Sequence, residues 1–85
     1  MTIKEFEIQY ALGSLSEYTK DQLAYDSDTS KGILIILSTD KNYSIRYRVA
    51  GNFNTPKEVL TKLSVDKDWY VKWRAIRHMS GDLNK

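Results

Sequence analysis

The sequence predicts an all-α fold, a short stack of about three helix pairs, on two observations. The first is an internal repeat: aligning residues 26–51 with residues 52–77 requires no gap, and eight of the 26 positions are identical. A fixed period of roughly 20 to 50 residues is the signature of stacked repeats. The second is that apolar residues recur at helical spacing on both sides of the predicted turns. Together they favour stacked helices over a sheet.

The first helix is predicted from about residue 3 to residue 12. Ile3, Phe6 and Tyr10 recur at i, i+3 and i+7 with polar residues between them, which is the pattern of an amphipathic helix. Gly13 follows, and glycine ends helices readily because it adopts positive φ at little cost.

A second helix is predicted to follow at once. Ser14 and Glu17 have the spacing of a capping box, in which two side chains satisfy backbone N–H groups at a helix start, and the helix runs through Ala24. Residues 1–25 align poorly with the repeat, and terminal units of stacked repeats are often atypical. This first pair is therefore predicted to be an N-terminal cap.

The third helix is predicted over residues 30–38, after a loop at residues 26–29 that ends in a cap. The apolar run at residues 32–37 is also compatible with a buried strand, but the repeat alignment favours a helix. Ile35 and Ile36 align with polar residues of the next unit, at positions expected to be exposed. They either pack against the N-terminal pair or form an exposed apolar patch, and are possible additional contacts with a partner.

The fifth helix has the clearest predicted start. Thr55 and Glu58 have capping-box spacing, and Pro56 takes the first helical position, where a missing N–H costs nothing. Asn52 and Asn54 suit the tight turn before it, so we expect their role to be structural.

The second helices of the two repeats are predicted at about residues 43–51 and 69–79. Each carries an apolar i, i+4 pair that should face the first helix of its unit, namely Ile45 with Val49 and Val71 with Ala75. The residues turned outward are then Tyr47, Arg48, Trp73, Arg74 and Arg77. In a stacked array they form a column of aromatic rings beside a column of guanidinium groups, which suits either a protein hot spot or stacking on nucleobases.

Arg46 and Lys72 take matching positions in the two units. Asp40 and Asp66 lie six residues earlier. In HEAT-like repeats, which residues 45–68 resemble, the matching position commonly pairs with an acidic residue at that spacing, so the resemblance implies that each cation pairs with that carboxylate as part of the stacking. Lysine lacks the forked geometry of arginine, so the second pair should be weaker. Arg46 is therefore not placed in the binding site, whereas Lys72 is a possible additional contact.

Residues 45–68 resemble the leucine-rich repeat variant (LRV), a short HEAT-like repeat. This stretch reads IRYRVAGNFNTPKEVLTKLSVDKD, against the family pattern VRxxVAxNPNTPxELLxxLAxDxD. The earlier unit is a looser copy, and Phe53 stands where the family usually has proline. The resemblance implies a right-handed α-solenoid of short helix pairs that generally serves as a binding scaffold and not as a catalyst.

Composition indicates a single domain over residues 1–85. With 41% hydrophobic and 28% charged residues, the chain is neither disordered in composition nor long enough for two cores. We expect the cap to be followed by repeats at residues 26–51 and 52–77 and by a short tail at residues 78–85. Cysteine, a run of about 18 apolar residues and a leader are all missing, which predicts a cytoplasmic protein without a membrane partner.

The net charge of +2 hides an asymmetry. Residues 1–40 carry three lysines and seven carboxylates, a net charge of −4, whereas residues 41–85 carry ten cations and four carboxylates, a net charge of +6. Such polarity is typical either of a charged binding face or of an ordinary solvated surface.

No set of residues with catalytic chemistry is visible in the sequence. His78 is the only histidine, cysteine is absent, and no glycine-rich phosphate loop occurs. The pairs Asp26/Asp28 and Asp66/Asp68 are spaced like fragments of a cation loop but lack its other ligands, and are more simply turn and cap residues. We therefore expect no enzyme activity, no cofactor and no metal.

Two classes of function remain. The first is a protein-binding module, a small adaptor or inhibitor that docks its aromatic and basic face on an acidic surface of a larger protein, as a phage-type or plasmid-type accessory factor does. The alternative is binding of RNA or single-stranded nucleic acid through the same face.

The C-terminal end is predicted to be open unless the tail folds back over it. Trp69, Ile76 and Met79 would then be exposed. The protein is accordingly either a capped monomer or a homodimer through this end.

Overall fold

The computed structural model describes residues 1–81 and confirms the all-α class. This part of the chain contains six helices and no strand. They are α1 (Ile3–Leu12), α2 (Glu17–Tyr25), α3 (Lys31–Leu37), α4 (Tyr43–Gly51), α5 (Lys57–Leu63) and α6 (Trp69–Met79). The predicted bounds agree for α1, α4 and α6. No helix in the described residues is long and apolar enough to cross a membrane.

One hydrophobic core draws on all six helices. Its buried members are Phe6, Ala24, Ile33, Leu34, Leu37, Ile45, Val49, Ala50, Val59, Leu63, Val71 and Ala75. The predicted inward pairs of α4 and α6 are among them, which confirms that prediction. Because helices this short are marginal alone, burial against their neighbours is what stabilises them.

The second helices of the pairs lie side by side. α2 contacts α4, and α4 contacts α6. α1 contacts α3, and α5 contacts α6. We call the row formed by α2, α4 and α6 the second-helix row, and it carries the aromatic and basic residues singled out from the sequence.

α1 has a capping box that the sequence analysis missed. The hydroxyl of Thr2 accepts from the N–H of Glu5 at 3.1 Å, and the Glu5 carboxylate accepts from the N–H of Thr2 at 2.7 Å. These bonds hold the pKa of Glu5 below its usual value. Gly13 ends the helix at φ 70°, as predicted.

The cap predicted for α2 is wrong. The N-cap of α2 is Ser16, whose hydroxyl accepts from the N–H of Thr19 at 3.1 Å. Ser14 does not pair with Glu17 in a capping box, because its hydroxyl instead donates to the carbonyl of Gln9 at 3.1 Å. Ser14 thus completes the end of α1 and does not start α2.

The cap predicted for α5 is also wrong. Pro56 precedes α5 without a side-chain cap. Thr55 is buried, and its hydroxyl donates to the carbonyl of Val49 at 2.7 Å instead of accepting from Glu58. A buried hydroxyl requires an acceptor, and this one finds it near the end of α4. The cap of α3 is Ser30, one residue beyond the loop predicted to supply it.

Short polar turns separate the helices. In four of them a side-chain oxygen accepts from the N–H two residues later, in the pairs Asp26/Asp28, Asp40/Asn42, Asn52/Asn54 and Asp66/Asp68. The two aspartate pairs that resembled fragments of a cation loop therefore act as turn residues. Asn54 also has the predicted structural role.

Asn52 ties two helices of the row together. Its side-chain amide donates to the carbonyls of Ala24 and Asp26 at 2.8 and 2.9 Å. His78 takes the matching position 26 residues later, with Nδ1 2.8 Å from the carbonyl of Ala50. Because a carbonyl only accepts, Nδ1 of His78 carries the proton. The same contact thus joins α2 to α4 and α4 to α6.

Arg46 has a structural role, but its carboxylate partner is not the predicted one. Its guanidinium forms a two-pronged pair with Asp66, with Nε–Oδ2 at 2.9 Å and Nη2–Oδ1 at 3.2 Å. Asp40, six residues earlier, contributes its backbone carbonyl, which accepts from Nη1 at 2.7 Å. The predicted pairing fails because the Asp40 carboxylate faces the preceding helix pair. Lys72 is exposed, and no ion pair of the described residues joins it to Asp66.

The partner of the Asp40 carboxylate is Lys20, which stands 26 residues before Arg46. Lys20 Nζ lies 2.9 Å from Asp40 Oδ2, and the hydroxyl of Tyr10 donates to the same oxygen at 2.9 Å. Burial opposes ionisation of Asp40, but the N–H of Asn42 and these two donors outweigh it and lower its pKa. Burial and the bond to Asp40 raise the pKa of Tyr10 to about 12.

The two isoleucines of α3 behave differently. Ile36 is partly buried against the core, whereas Ile35 is 48% exposed. Neither of the two predicted alternatives therefore holds for both residues. A single exposed isoleucine is ordinary for a small protein.

Candidate functional site

A groove of about 820 Å³ runs along the second-helix row. We call it the row groove. Its lining includes Gln22 and Tyr25 from α2, Tyr47 and Arg48 from α4, Phe53 from the turn after α4, and Arg74 from α6. Three of the five predicted partner-binding residues, Tyr47, Arg48 and Arg74, therefore line one depression.

Arg74 lies against Tyr47 inside the groove. Its Nη1 donates to the Tyr47 hydroxyl at 2.9 Å, and its Cζ lies 4.8 Å from the centre of the Tyr47 ring. The Nε of Arg74 is buried and has no hydrogen-bond partner within residues 1–81. Contact with the ring holds the guanidinium in place while leaving hydrogen-bonding capacity unused.

Gly51 makes room for that arginine. A Cβ built on Gly51 would lie 2.5 Å from Nε and 2.9 Å from Cζ of Arg74. A side chain at this position, the last of α4, would therefore force the Arg74 guanidinium to move.

Arg48 makes the corresponding contact 26 residues earlier. Its Nε donates to Asp21 at 3.1 Å, and its Cζ lies 5.0 Å from the centre of the Tyr25 ring. The Arg48 side chain remains 43% exposed and that of Asp21 29% exposed. Asp21 stands 26 residues before Tyr47, at the matching position of α2. Arg48 therefore pairs with a carboxylate, whereas Arg74 pairs with the phenol hydroxyl of Tyr47.

Trp73 and Arg77 form a second patch on α6. The Cζ of Arg77 lies 5.1 Å from the centre of the Trp73 ring. The Trp73 ring stacks on that of Trp69 at a centroid distance of 6.2 Å, and Tyr70 meets Trp69 edge-on at 5.2 Å. Trp73 and Arg77 are not part of the row-groove lining. The predicted site is thus divided between the groove and an aromatic cluster on α6.

A second depression of about 520 Å³ lies beside the row groove. Tyr47 and Arg48 line both, and the second is completed by residues that include Asp21, Tyr43 and Tyr70. Tyr25, Phe53, Tyr43 and Tyr70 were not predicted as site residues. Tyr43 and its counterpart Trp69 were visible in the repeat alignment, but Tyr25 lies in the part that does not align.

The remaining predicted contacts lie apart from the groove. Lys72 is exposed on the outer side of α6, and Ile35 and Ile36 are on α3. Within the described residues, no group of three or more histidine, aspartate or glutamate side chains is placed to hold a metal ion.

Comparison with protein-family models, with curated proteins and with solved structures finds no match to this chain.

Proposed function

We propose that this chain is a non-enzymatic protein-binding module, a small adaptor or inhibitor that docks on an acidic surface of a larger protein. The observation that supports the proposal most is the set of three arginine–aromatic pairs along the second-helix row: Arg48 with Tyr25, Arg74 with Tyr47 and Arg77 with Trp73. Tyrosine, tryptophan and arginine are the residues in which interface hot spots are enriched.

The stacking of these arginines favours tight binding. A guanidinium that rests on a ring has already lost part of its rotamer freedom, so less ordering entropy is lost when a carboxylate binds. Arg48 already uses its Nε on Asp21 and Arg74 its Nη1 on the Tyr47 hydroxyl, so a partner carboxylate would be bound through the remaining N–H groups of these two side chains. An acidic partner surface therefore matches the chemistry of the row groove.

A right-handed stack of three helix pairs, as the resemblance to LRV repeats implies, is the scaffold that we propose for this surface. Two kinds of contact support it, because each recurs 26 residues later. The pair of Lys20 with Asp40 is followed by that of Arg46 with Asp66. The contact of Arg48 with Asp21 is followed by that of Arg74 with Tyr47. In repeat stacks each unit contacts only its neighbours, and the aligned units present an extended binding surface.

Binding of RNA or single-stranded nucleic acid is the second candidate. The exposed stack of Trp69 and Trp73, with a cation on the latter, is the kind of platform on which unpaired bases stack. Against it, Asp21 offsets the charge of Arg48 in the groove. Binding driven by phosphates requires several free cations, so we place the protein partner first.

A pull-down that compares matched variants tests the proposal. The tagged chain is incubated with lysate, half of it treated with nuclease, alongside a Tyr47→Ala, Trp73→Ala variant. Tyr18→Ala is the control, because Tyr18 is 73% exposed and lies outside both depressions. We expect a protein that survives nuclease, is lost from the double variant and is retained by the control.

The affinity for that protein then measures how much Trp73 contributes to binding. Trp73→Ala should weaken binding by about 2 kcal/mol, roughly thirtyfold, if Trp73 is a hot-spot residue. Material lost on nuclease treatment would favour the nucleic-acid candidate. Equal capture by wild type and double variant would exclude the aromatic and basic face as the binding surface.

A further inference from the structure

The outer side of α6 repeats a surface that is covered on α2 and on α4. On α4, Arg46 pairs with Asp66, the carbonyl of Ala50 meets His78, and Gly51 accommodates a side chain from α6. The matching side of α2 is covered by α4 and the turns beside it in the same way. In the second-helix row, this side of α2 and of α4 is therefore covered by the helix that follows it in the row.

On α6 this surface is exposed within the described residues. Lys72 takes the position of Lys20 and Arg46, and Ile76 takes the position of Ala24 and Ala50. Trp69 is 62% exposed, Ile76 47% and Met79 46%. We call the surface formed by Trp69, Lys72, Trp73, Ile76 and Met79 the outer α6 face.

The two internal layers define what such a surface binds. Each places a carboxylate from the following helix pair on the row cation, Asp40 on Lys20 at 2.9 Å and Asp66 on Arg46 at 2.9 Å. Both Lys20 and Arg46 are thereby desolvated and neutralised at the same position of the row. Lys72 is the third cation of this series.

Ile76 distinguishes the outer α6 face from the internal layers. Ala24 and Ala50 are fully buried, and their carbonyls are reached by side chains of the next helix at 2.8 Å. An isoleucine at this position holds a neighbouring helix further away and offers it an apolar ridge. The surface therefore suits a helix with its own apolar side chains, not another layer of the same kind.

A second copy of the chain does not supply the complementary charge. α6 contains no acidic residue, so two copies facing each other through α6 would oppose Lys72 and Arg77 with cations. In a head-to-tail arrangement, the residue that matches Asp40 and Asp66 is Ser14, which has no carboxylate. Like charges across an interface cost several kcal/mol, so the α6-to-α6 arrangement is disfavoured, and the head-to-tail arrangement leaves Lys72 without the carboxylate that Lys20 and Arg46 each receive at this position.

We infer that the outer α6 face binds an acidic amphipathic helix of a different protein. Its apolar side chains pack on Trp69, Trp73 and Ile76, and a carboxylate on its flank pairs with Lys72. This inference rests on the proposed protein-binding function and assigns that function a second surface next to the row groove. A helix laid in this way is recognised through apolar anchors at i, i+3, i+4 and i+7.

The test uses a displayed library of amphipathic helical peptides of about 20 residues, with leucines on the apolar side and Glu, Lys or Ser at random on the flanks. It is selected on the immobilised full chain. We expect glutamate-rich peptides to be enriched. Lys72→Glu should reverse the preference to lysine, and Ile76→Ser should weaken the selected peptide by about tenfold or more. Tyr47→Ala should leave its affinity unchanged.

Each other outcome contradicts the inference in a recognisable way. A charge preference that Lys72→Glu does not alter, or a library without enrichment, would overturn it. Loss of binding in Tyr47→Ala with retention in Lys72→Glu would place the peptide in the row groove and leave the proposed function standing. Light scattering that detects a dimer abolished by Ile76→Ser would identify a second copy as the occupant. Lys72 is exposed, so its variant is expected to fold even if Ile76→Ser does not.

Discussion

Replacing Arg46 with methionine should reduce stability far more than the same change at Arg48, two residues along α4. Methionine keeps the length of the apolar stem and removes the charge and all five N–H donors. In the Arg46 variant, the Asp66 carboxylate loses a two-pronged partner, and the Asp40 carbonyl loses a donor at 2.7 Å. In the Arg48 variant, Asp21 loses one bond at 3.1 Å.

Burial decides the difference in magnitude. The Arg46 and Asp66 side chains are 8% and 10% exposed, whereas those of Arg48 and Asp21 are 43% and 29% exposed. Breaking a buried pair by removing one partner costs about 3–5 kcal/mol, because the other charge is left without compensation. An exposed pair contributes about 1 kcal/mol or less. A domain of 85 residues has a total unfolding free energy of about 4–13 kcal/mol, so Arg46→Met brings it close to unfolding.

Urea unfolding followed by far-UV circular dichroism measures both variants. The double change Arg46→Met, Asp66→Asn should recover much of the loss, since it removes both charges together and keeps the side-chain oxygen that accepts from the N–H of Asp68. If Arg46→Met and Arg48→Met lose the same free energy within about 0.5 kcal/mol, or if the double change is no better than the single one, the claim that the buried Arg46–Asp66 pair stabilises the fold more than the exposed Arg48–Asp21 pair is wrong.

Three further predictions concern single contacts. Asn52→Ala removes a buried amide that serves two carbonyls, and urea unfolding should show a loss of about 1–3 kcal/mol. Asp40 has a folded pKa below its ordinary value of 3.8, so the stability it contributes is present above about pH 4 and is lost as the pH falls further. Asp40→Asn should flatten that part of the stability–pH curve. Gly51→Ala should displace the guanidinium of Arg74 and weaken partner binding by about tenfold, with no loss in unfolding free energy.

The sequence predicts the helices of this chain well. The apolar i, i+4 pairs of α4 and α6 are local, and local spacing determines which side of a helix is buried. The caps were predicted less well, because Ser14 and Thr55 each use their hydroxyl on a carbonyl of the preceding helix. That choice depends on where the preceding helix ends in space, which spacing along the chain does not reveal.

The partners in the ion pairs could not be predicted from spacing along the chain. The six-residue spacing of Asp40 and Arg46 suggested a contact within one unit, but the carboxylate that Arg46 uses belongs to the next unit, 20 residues later. Lys20 was overlooked because the N-terminal pair aligns poorly, although it makes the equivalent contact.

The candidate site was predicted in part for the same reason. Tyr47, Arg48 and Arg74 were found from the periodicity of the second helices, and they do line one groove. Tyr25 and Phe53 complete it from a helix end and a turn, where no periodic signal exists. The alternative in which the tail folds back over the C-terminal end involves residues 82–85, which lie outside the described residues.

Photo-crosslinking from inside the row groove tests whether the groove binds a protein. A benzophenone amino acid replaces Phe53, which lines the row groove and is 61% exposed, or Tyr18 on the exposed side of α2, and the protein is irradiated in lysate with and without nuclease. We expect a discrete protein adduct at Phe53 that resists nuclease, disappears in an Arg74→Ala background and is absent at Tyr18. An adduct formed equally at both positions, or one that nuclease removes, would contradict it.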